Sequence, residues 1–167
     1  MKEFEVRFPK NDLLETGAIY LAFAVLCVLM FVSGRHFEFN VVFAVIVTVM
    51  FGMTVLPTCL FYLRVSDDVF KVRTKFGKKY EFDLKDIKKI ECSNHNRPKL
   101  GPLYEMIIYT DSNELELNHG MEGFDVLAGY LLAKYENVEL GNNSVSKDSY
   151  EMMLKITQMK NMLYFRK

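Results

Sequence analysis

Three residues of this chain have types and a spacing that could support chemistry: Cys92, His95 and His119. Cys92-Ser-Asn-His95 has the Cys-x-x-His spacing of half a zinc site, and His119 is a candidate third ligand. A structural zinc site needs four protein ligands, and the sequence supplies no second pair. Cys92 with His95 as nucleophile and base is an equally weak pattern, because reactive thiols need accessible, electropositive surroundings and Cys92 occupies a predicted inward strand position. We therefore predict no metal, no cofactor and no enzyme activity.

The other reactive residue types are typical of structure rather than catalysis. The pairs Asp67-Asp68 and Asp83/Asp86 are predicted turn residues, and no glycine-rich motif for phosphate binding is present. The three cysteines are spread over two apolar runs and one predicted strand, which does not build a disulfide framework.

The elements that would position these residues are organised around two uncharged apolar runs, Gly17 to Val32 and Val41 to Leu63. A helix needs about 20 apolar residues to cross a bilayer core. We predict a two-helix transmembrane hairpin over 16–63, with a loop over Gly34 to Asn40. The helices must be antiparallel, because lipid tolerates no unpaired backbone in its core.

Small residues recur at spacing four in both runs and predict close helix contacts. Ala18 and Ala22 form one row, and Ala44, Thr48 and Gly52 form another. These rows either pack the two helices together, or the second row mediates dimerisation. Neither run contains Asp, Glu, Lys, Arg or His, which argues against transport as the main activity.

Basic residues near the ends of the runs predict the orientation. The connecting loop has only Arg35, whereas the N-terminal segment 1–15 has three basic residues and the stretch after Leu63 has many. The positive-inside rule then places both termini in the cytoplasm of a two-span protein of the cell membrane. Acidic residues before the first run argue against a cleaved secretory signal.

The segment 64–140 is predicted to form an antiparallel β domain. Phe70, Val72, Thr74 and Phe76 alternate with polar residues, as do Tyr80, Phe82 and Leu84. A loop over Gly77-Lys78-Lys79 would place Phe76 opposite Tyr80, Lys75 opposite Glu81 and Arg73 opposite Asp83. Residues 3–8 also alternate, and the strand they predict either lies on the membrane surface or joins this sheet.

The rest of the domain continues the pattern. Ile87 to Cys92 is a predicted strand, Ser93 to Pro102 a loop, and Leu103 to Thr110 with Glu114 to Asn118 a second hairpin that matches Ile107 with Leu117 and Tyr109 with Leu115. A closing helix over 121–136 follows from one apolar stripe, formed by Phe124, Leu127, Ala128, Leu131 and Tyr135.

Together with the run Phe82 to Ile90, this order of elements resembles the pleckstrin-homology-like domains of small bacterial membrane proteins. The resemblance covers roughly Leu63 to Leu140. It implies a membrane-anchored α+β fold, with a partly closed antiparallel barrel capped by the helix, and it brings no active site. Such domains usually have seven strands, so the missing first strand would come from Glu3 to Phe8 or from Tyr62 to Ser66.

The remaining segment, 141–167, is predicted to be a linker and an amphipathic helix. Gly141 to Ser144 is the linker, and the helix begins at Ser149 with Asp148 and Glu151 as a capping box. Its apolar face is formed by Met152, Ile156, Met159 and Leu163. This face packs on the sheet or the closing helix, or it meets a partner groove or the membrane interface.

The distribution of charged residues along the chain indicates which kinds of partner to expect. The 21 basic and 21 acidic residues balance, so nothing indicates nucleic-acid binding, but Arg64 to Lys99 holds eleven basic and six acidic residues. The candidate membrane-surface contacts are Arg64, Lys78, Lys79, Lys88 and Lys89. We expect a membrane-anchored binding or scaffold domain for a protein partner or the inner leaflet, with self-association as one form of partnership. The alternatives are an accessory subunit of a membrane complex, or a small membrane hydrolase or carrier that uses Cys92, His95 or His119.

Overall fold

A computed structural model of the chain describes residues 3–33, 37–97, 101–137, 140–141 and 144–164. They divide into two compact units. The helix-pair unit comprises Phe8–Tyr62 and Arg73–Lys79, and the sheet unit comprises Met1–Arg7, Leu63–Val72 and Tyr80–Lys167. The architecture is α+β: two long apolar helices, two antiparallel sheets and two further helices.

The helix-pair unit contains α1 (Lys10–Val32) and α2 (Phe37–Leu60). Each has a stretch long and apolar enough to cross a membrane: Leu14–Val32, 19 residues with mean hydropathy 2.1, and Glu38–Leu60, 23 residues with mean hydropathy 2.3. The helices extend beyond the predicted limits, so α1 includes part of the predicted N-terminal segment 1–15. The predicted loop is also too long, because α2 already begins at Phe37; residues 34–36 lie outside the described part.

The first sheet has four strands in the order β1 (Phe4–Val6), β2 (Tyr62–Ser66), β3 (Val69–Arg73) and β4 (Lys79–Asp83). β1 and β2 pair antiparallel, with Phe4 opposite Val65 and Val6 opposite Leu63. Val6 and Leu63 are completely buried. The open question about residues 3–8 is therefore answered: they join the sheet, and so does the other candidate strand.

The β3–β4 hairpin differs from the predicted register by four residues. The N–H of Thr74 donates to the carbonyl of Lys78 at 2.8 Å, so the turn comprises Thr74 to Lys78. Further along, Phe70 stacks on Phe82 at 4.8 Å, and Lys71 pairs with Glu81 at 3.7 Å.

An even shift leaves each side chain of the two strands on its predicted face. The turn residues are the exception. Gly77 takes φ +81°, which favours glycine, and closes the turn early. The prediction of Phe76 as an inward residue opposite Tyr80 is therefore wrong: its side chain is 91% exposed.

The second sheet has three strands: β5 (Lys89–Arg97), β6 (Gly101–Tyr109) and β7 (Glu114–Asn118). The predicted loop over Ser93 to Pro102 is wrong for most of its length, because β5 and β6 pair from Lys89↔Tyr109 to Arg97↔Gly101. The polar residues there belong to a two-stranded ribbon whose backbone groups satisfy each other, so the ribbon needs no apolar alternation.

The β6–β7 register also differs from the prediction, by one residue. Met106 lies opposite Leu117 and Ile108 opposite Leu115, so Ile107 and Tyr109 are not the inward residues. The physical reason is the turn. Thr110 donates its N–H to the carbonyl of Asn113 and accepts the N–H of Asn113 on its hydroxyl, which leaves a loop of two residues instead of three.

The closing helix α3 (Phe124–Glu136) is present as predicted but begins three residues later than the predicted 121. Its stripe is buried at Phe124, Leu127, Ala128 and Leu131. The last helix, α4 (Lys147–Tyr164), begins earlier than predicted. Its N-terminus is capped by Ser146, whose hydroxyl accepts the N–H of Ser149 at 3.1 Å, rather than by Asp148.

α4 packs on α3 and β5, with Met153 and Ile156 buried, which confirms the prediction of packing within the domain for this part of the helix. The side chains of Met159 and Leu163, and residues 142, 143 and 165–167, lie outside the described part.

A charged cluster ties the β2–β3 turn to α3. Asp67 and Asp68 form this turn in left-handed conformations, with φ 49° and 68°. Asp68 accepts hydrogen bonds from the buried Lys134 at 2.8 Å and from the hydroxyl of Tyr130 at 2.5 Å. Asp83 is the last residue of β4 and caps the short 3-10 helix Leu84–Asp86, where the N–H of Asp83 donates to the Asp86 carboxylate. Asp67 and Asp68 are turn residues, as predicted, whereas Asp83 and Asp86 are not.

The two sheets remain separate. Over the described residues no ladder of hydrogen bonds joins one sheet to the other, and the seven strands form groups of four and three rather than a closed barrel.

Candidate membrane-contact surface

The helix pair presents apolar side chains outward. Only 6% of the apolar stretch of α1 and 11% of that of α2 is buried within the chain. A helix that is hydrophobic on all sides is normally covered by a protein core or by lipid. Contacts among the described residues leave most of both helix surfaces exposed.

Aromatic and polar contacts hold α1 against α2. The hydroxyls of Tyr20 and Thr54 lie 2.9 Å apart, and the ring of Tyr20 meets Phe51 edge-on at 5.0 Å. The side-chain amide of Asn40 donates to the carbonyl of Met30 at 3.0 Å. Each of these three groups has its hydrogen-bond partner inside the helix pair.

The contacts between α1 and α2 fill the space beside the row Ala44, Thr48 and Gly52 only in part. A Cβ at Gly52 would meet nothing within 4 Å, and Thr48 lines a cleft of about 400 Å³ beside Tyr20 and Phe51. The hydroxyl of Thr48 is satisfied by the carbonyl of Ala44 at 2.8 Å. Dimerisation through this row remains a prediction.

Three of the five basic residues predicted to contact the membrane surface form ion pairs with acidic residues of the sheet unit. Arg64 pairs with Glu3 at 3.3 Å across β1 and β2, Lys88 with Asp111 at 3.3 Å, and Lys89 with Glu91 at 2.5 Å. Such exposed pairs contribute little to stability, about 0–1 kcal/mol. They do cancel charge locally, so this group offers only a weak attraction for an anionic surface.

Lys78 and Lys79 differ from that group. Together with Lys75 they are exposed at or beside the Thr74–Lys78 turn, and within the described part of the chain none of the three forms an ion pair. The turn therefore concentrates uncompensated positive charge in a few residues.

This turn lies at the end of the helix pair where α1 begins and α2 ends. A Cβ at Gly77 would lie 3.9 Å from the side chain of Leu60, the last residue of α2. The Nζ of Lys75 lies 6.0 Å from the ring of Phe8, which meets Phe61 edge-on at 5.6 Å. The three lysines are thus placed at one end of the two apolar helices.

Cys92 and His95 face opposite sides of β5. Cys92 is buried opposite Met106, whereas His95, an odd number of residues away, is exposed and lies 3.4 Å from Glu105. Burial raises the pKa of the Cys92 thiol to about 12, far from the range in which a thiolate nucleophile works. The two side chains do not converge.

His119 lies beyond β7, on the other side of β6 from β5. Its Nδ1 accepts the N–H of Tyr104, and its ring lies edge-on to that tyrosine at 6.1 Å. The three candidate residues are thus dispersed over the sheet. Within the described ranges, no group of three or more histidine, cysteine or acidic residues is arranged to hold a metal ion.

The most exposed large apolar side chain at this surface, Phe76, was not among the candidate contacts. The sequence signal that marks it is the neighbouring Gly77, followed by two lysines, which indicates a turn rather than the end of a strand. Comparison with known proteins adds no candidate: no family model, no curated protein and no solved structure matches the chain.

Proposed function

We propose that this chain is a two-span membrane protein that presents a non-catalytic α+β domain as a binding or scaffold module. The observation that carries the proposal is the outward-facing apolar surface of α1 and α2, over lengths of 19 and 23 residues. That length matches a bilayer core, and contacts among the described residues leave most of this surface exposed.

The pairing of β1 with β2 supports a hairpin topology. β1 precedes α1 and β2 follows α2, yet the two strands are hydrogen-bonded neighbours. Two spans return the chain to its starting side, so this pairing is possible only if both helices cross or neither does. The basic residues of the flanking segments favour the cytoplasm as that side.

We further propose that the domain is pleckstrin-homology-like. Support comes from seven described strands in groups of four and three, followed by α3. The ligand of such a module here is a protein partner or the inner leaflet. The dispersal of Cys92, His95 and His119 favours binding over the hydrolase or carrier alternative.

The test is membrane extraction combined with cysteine labelling, in a background where Cys27, Cys59 and Cys92 are replaced by alanine. The protein should stay in the membrane pellet at alkaline pH. An impermeant maleimide should label Glu38→Cys in intact cells, but Lys147→Cys only after permeabilisation. Both positions are exposed. Recovery in the soluble fraction would overturn the membrane assignment, and the reverse labelling pattern would overturn the orientation. Co-purification from mild detergent would then test for a protein partner.

A further inference from the structure

We propose that the Thr74–Lys78 turn is a membrane-interface anchor, in which Phe76 inserts between lipid headgroups while Lys75, Lys78 and Lys79 contact anionic phosphates. This inference rests on the proposed membrane function and specifies which part of the chain outside the helices touches lipid.

The first argument is the exposure of Phe76. Its side chain is 91% exposed, more than any other exposed large hydrophobic residue described. Most such residues belong to α1 and α2, where lipid would cover them. Among the described residues outside those helices, Phe76 and Val126 are the two in this class, and Val126 is 41% exposed. An aromatic ring held fully outward on a turn has an apolar surface that water solvates poorly.

The second argument is position. A Cβ added to Gly77, the next residue, would lie 3.9 Å from the side chain of Leu60, so the turn lies beside the last residue of α2. Lys75 lies over Phe8, just before α1 begins. If α1 and α2 cross the membrane, this end of the pair lies at the boundary between acyl chains and headgroups, where aromatic side chains are enriched.

The third argument is charge. Lys75, Lys78 and Lys79 surround Phe76 and form no ion pair within the described residues. Lysine extends its apolar stem along a nonpolar surface and keeps its ammonium group in the headgroup layer. One inserted ring among several cations matches the chemistry of an anionic bilayer surface. Lipid is favoured over a protein groove because the adjoining helix surface already requires lipid.

The experiment uses single tryptophan reporters in the full chain, which contains no tryptophan. Phe76→Trp is the test variant. Ile46→Trp, an exposed position within α2, reports the bilayer interior, and Val126→Trp, on α3, is the matched control for an exposed apolar residue outside the helix pair. Each protein is reconstituted in phosphatidylcholine vesicles with and without phosphatidylglycerol. Fluorescence is then measured with phosphatidylcholines brominated at shallow or deep positions, and with acrylamide in the water.

We expect Phe76→Trp to be quenched more by shallow than by deep bromines and to be protected from acrylamide, with Ile46→Trp showing the reverse depth preference and Val126→Trp no lipid quenching. Adding Lys75→Gln, Lys78→Gln and Lys79→Gln should reduce the shallow quenching only in vesicles that contain phosphatidylglycerol.

If Ile46→Trp is not quenched by lipid, the proposed membrane function fails. If Ile46→Trp is quenched but Phe76→Trp responds only to acrylamide, the anchor alone is overturned. Protection of Phe76→Trp without lipid quenching assigns the turn to a protein contact and also overturns it. Unchanged quenching after the lysine replacements overturns the phosphate contacts.

Discussion

Replacing Asp68 with alanine should destabilise the sheet unit by about 1–3 kcal/mol. The carboxylate binds the ammonium of Lys134, whose side chain is 9% exposed, whereas Asp68 itself is 41% exposed. Breaking a fully buried pair costs about 3–5 kcal/mol, and an exposed pair is worth about 0–1 kcal/mol. Because water reaches one partner only, the expected loss lies between these limits. In a domain of about 100 residues it corresponds to a fall in melting temperature of roughly 4–24 °C.

The thiol of Cys92 provides the assay, since it is buried in the sheet unit. With Cys27 and Cys59 replaced by alanine, the labelling of Cys92 in the full chain in mild detergent is followed against temperature. The matched control is Lys85→Ala, which removes an exposed pair with Asp83 at 3.5 Å and should shift the midpoint little. If Asp68→Ala is no less stable than this control, the cluster does not fasten α3 to the β2–β3 turn.

The same pair predicts a pH dependence. Hydrogen bonds from Lys134 and then Tyr130 lower the pKa of Asp68 below its usual value of 3.8. A lowered pKa in the folded state means that the stabilisation is complete above the unfolded-state pKa and is lost as the pH falls through the folded-state pKa. The melting temperatures of wild type and Asp68→Ala should therefore converge from about pH 4 downward. A constant difference through acid would contradict this.

Three further predictions test other parts of the fold. Burial raises the pKa of Cys92 to about 12, so its labelling at pH 8 should be slow until the domain unfolds, and rapid native labelling would refute the inward position. Phe82→Asp should unfold the domain, because the ring is 7% exposed, whereas Glu81→Gln should cost less than about 1 kcal/mol in denaturant titration; equal losses would contradict the assigned faces. Gly123→Ala should cost at least about 1–3 kcal/mol, because φ is +82° and the new Cβ would overlap the backbone of β1, whereas Gly141→Ala, which meets nothing, should be neutral in the same titration.

The long elements follow from sequence because their signals are redundant. Two uncharged runs define α1 and α2, and the stripe from Phe124 to Leu131 defines the inward face of α3. Many residues contribute to each pattern, so no single one decides it. Their ends depend on single hydrogen bonds, which is why Ser146 rather than Asp148 begins α4.

Strand register was predicted less well, because a turn fixes it through two or three residues. Alternation alone cannot distinguish two registers that differ by an even number of residues, because both keep the same faces. In the β3–β4 hairpin the turn at Gly77 decides between them and puts Phe76 at the exposed tip. In β6 the run from Met106 to Tyr109 is apolar throughout, so the pattern does not indicate a face, and the hydrogen bonds between Thr110 and Asn113 decide it. The candidate surface depends on such turns, so Lys78 and Lys79 were predicted from charge while Phe76 was missed.

The placement of β1 connects the helix pair to the fold of the sheet unit. β1 and β2 are neighbours in the sheet but are separated in sequence by both helices, so the helix pair is an insertion between two paired strands. Three residues of pairing would hold β1 weakly on their own. Arg7, however, exchanges two backbone hydrogen bonds with Glu122, just before α3, and Phe4 meets the ring of Tyr130 at 5.5 Å. β1 is thus held by β2 on one side and by the start of α3 on the other. Since the two paired strands flank both helices in sequence, β1 can join the sheet only after α1, α2 and β2 have been synthesised.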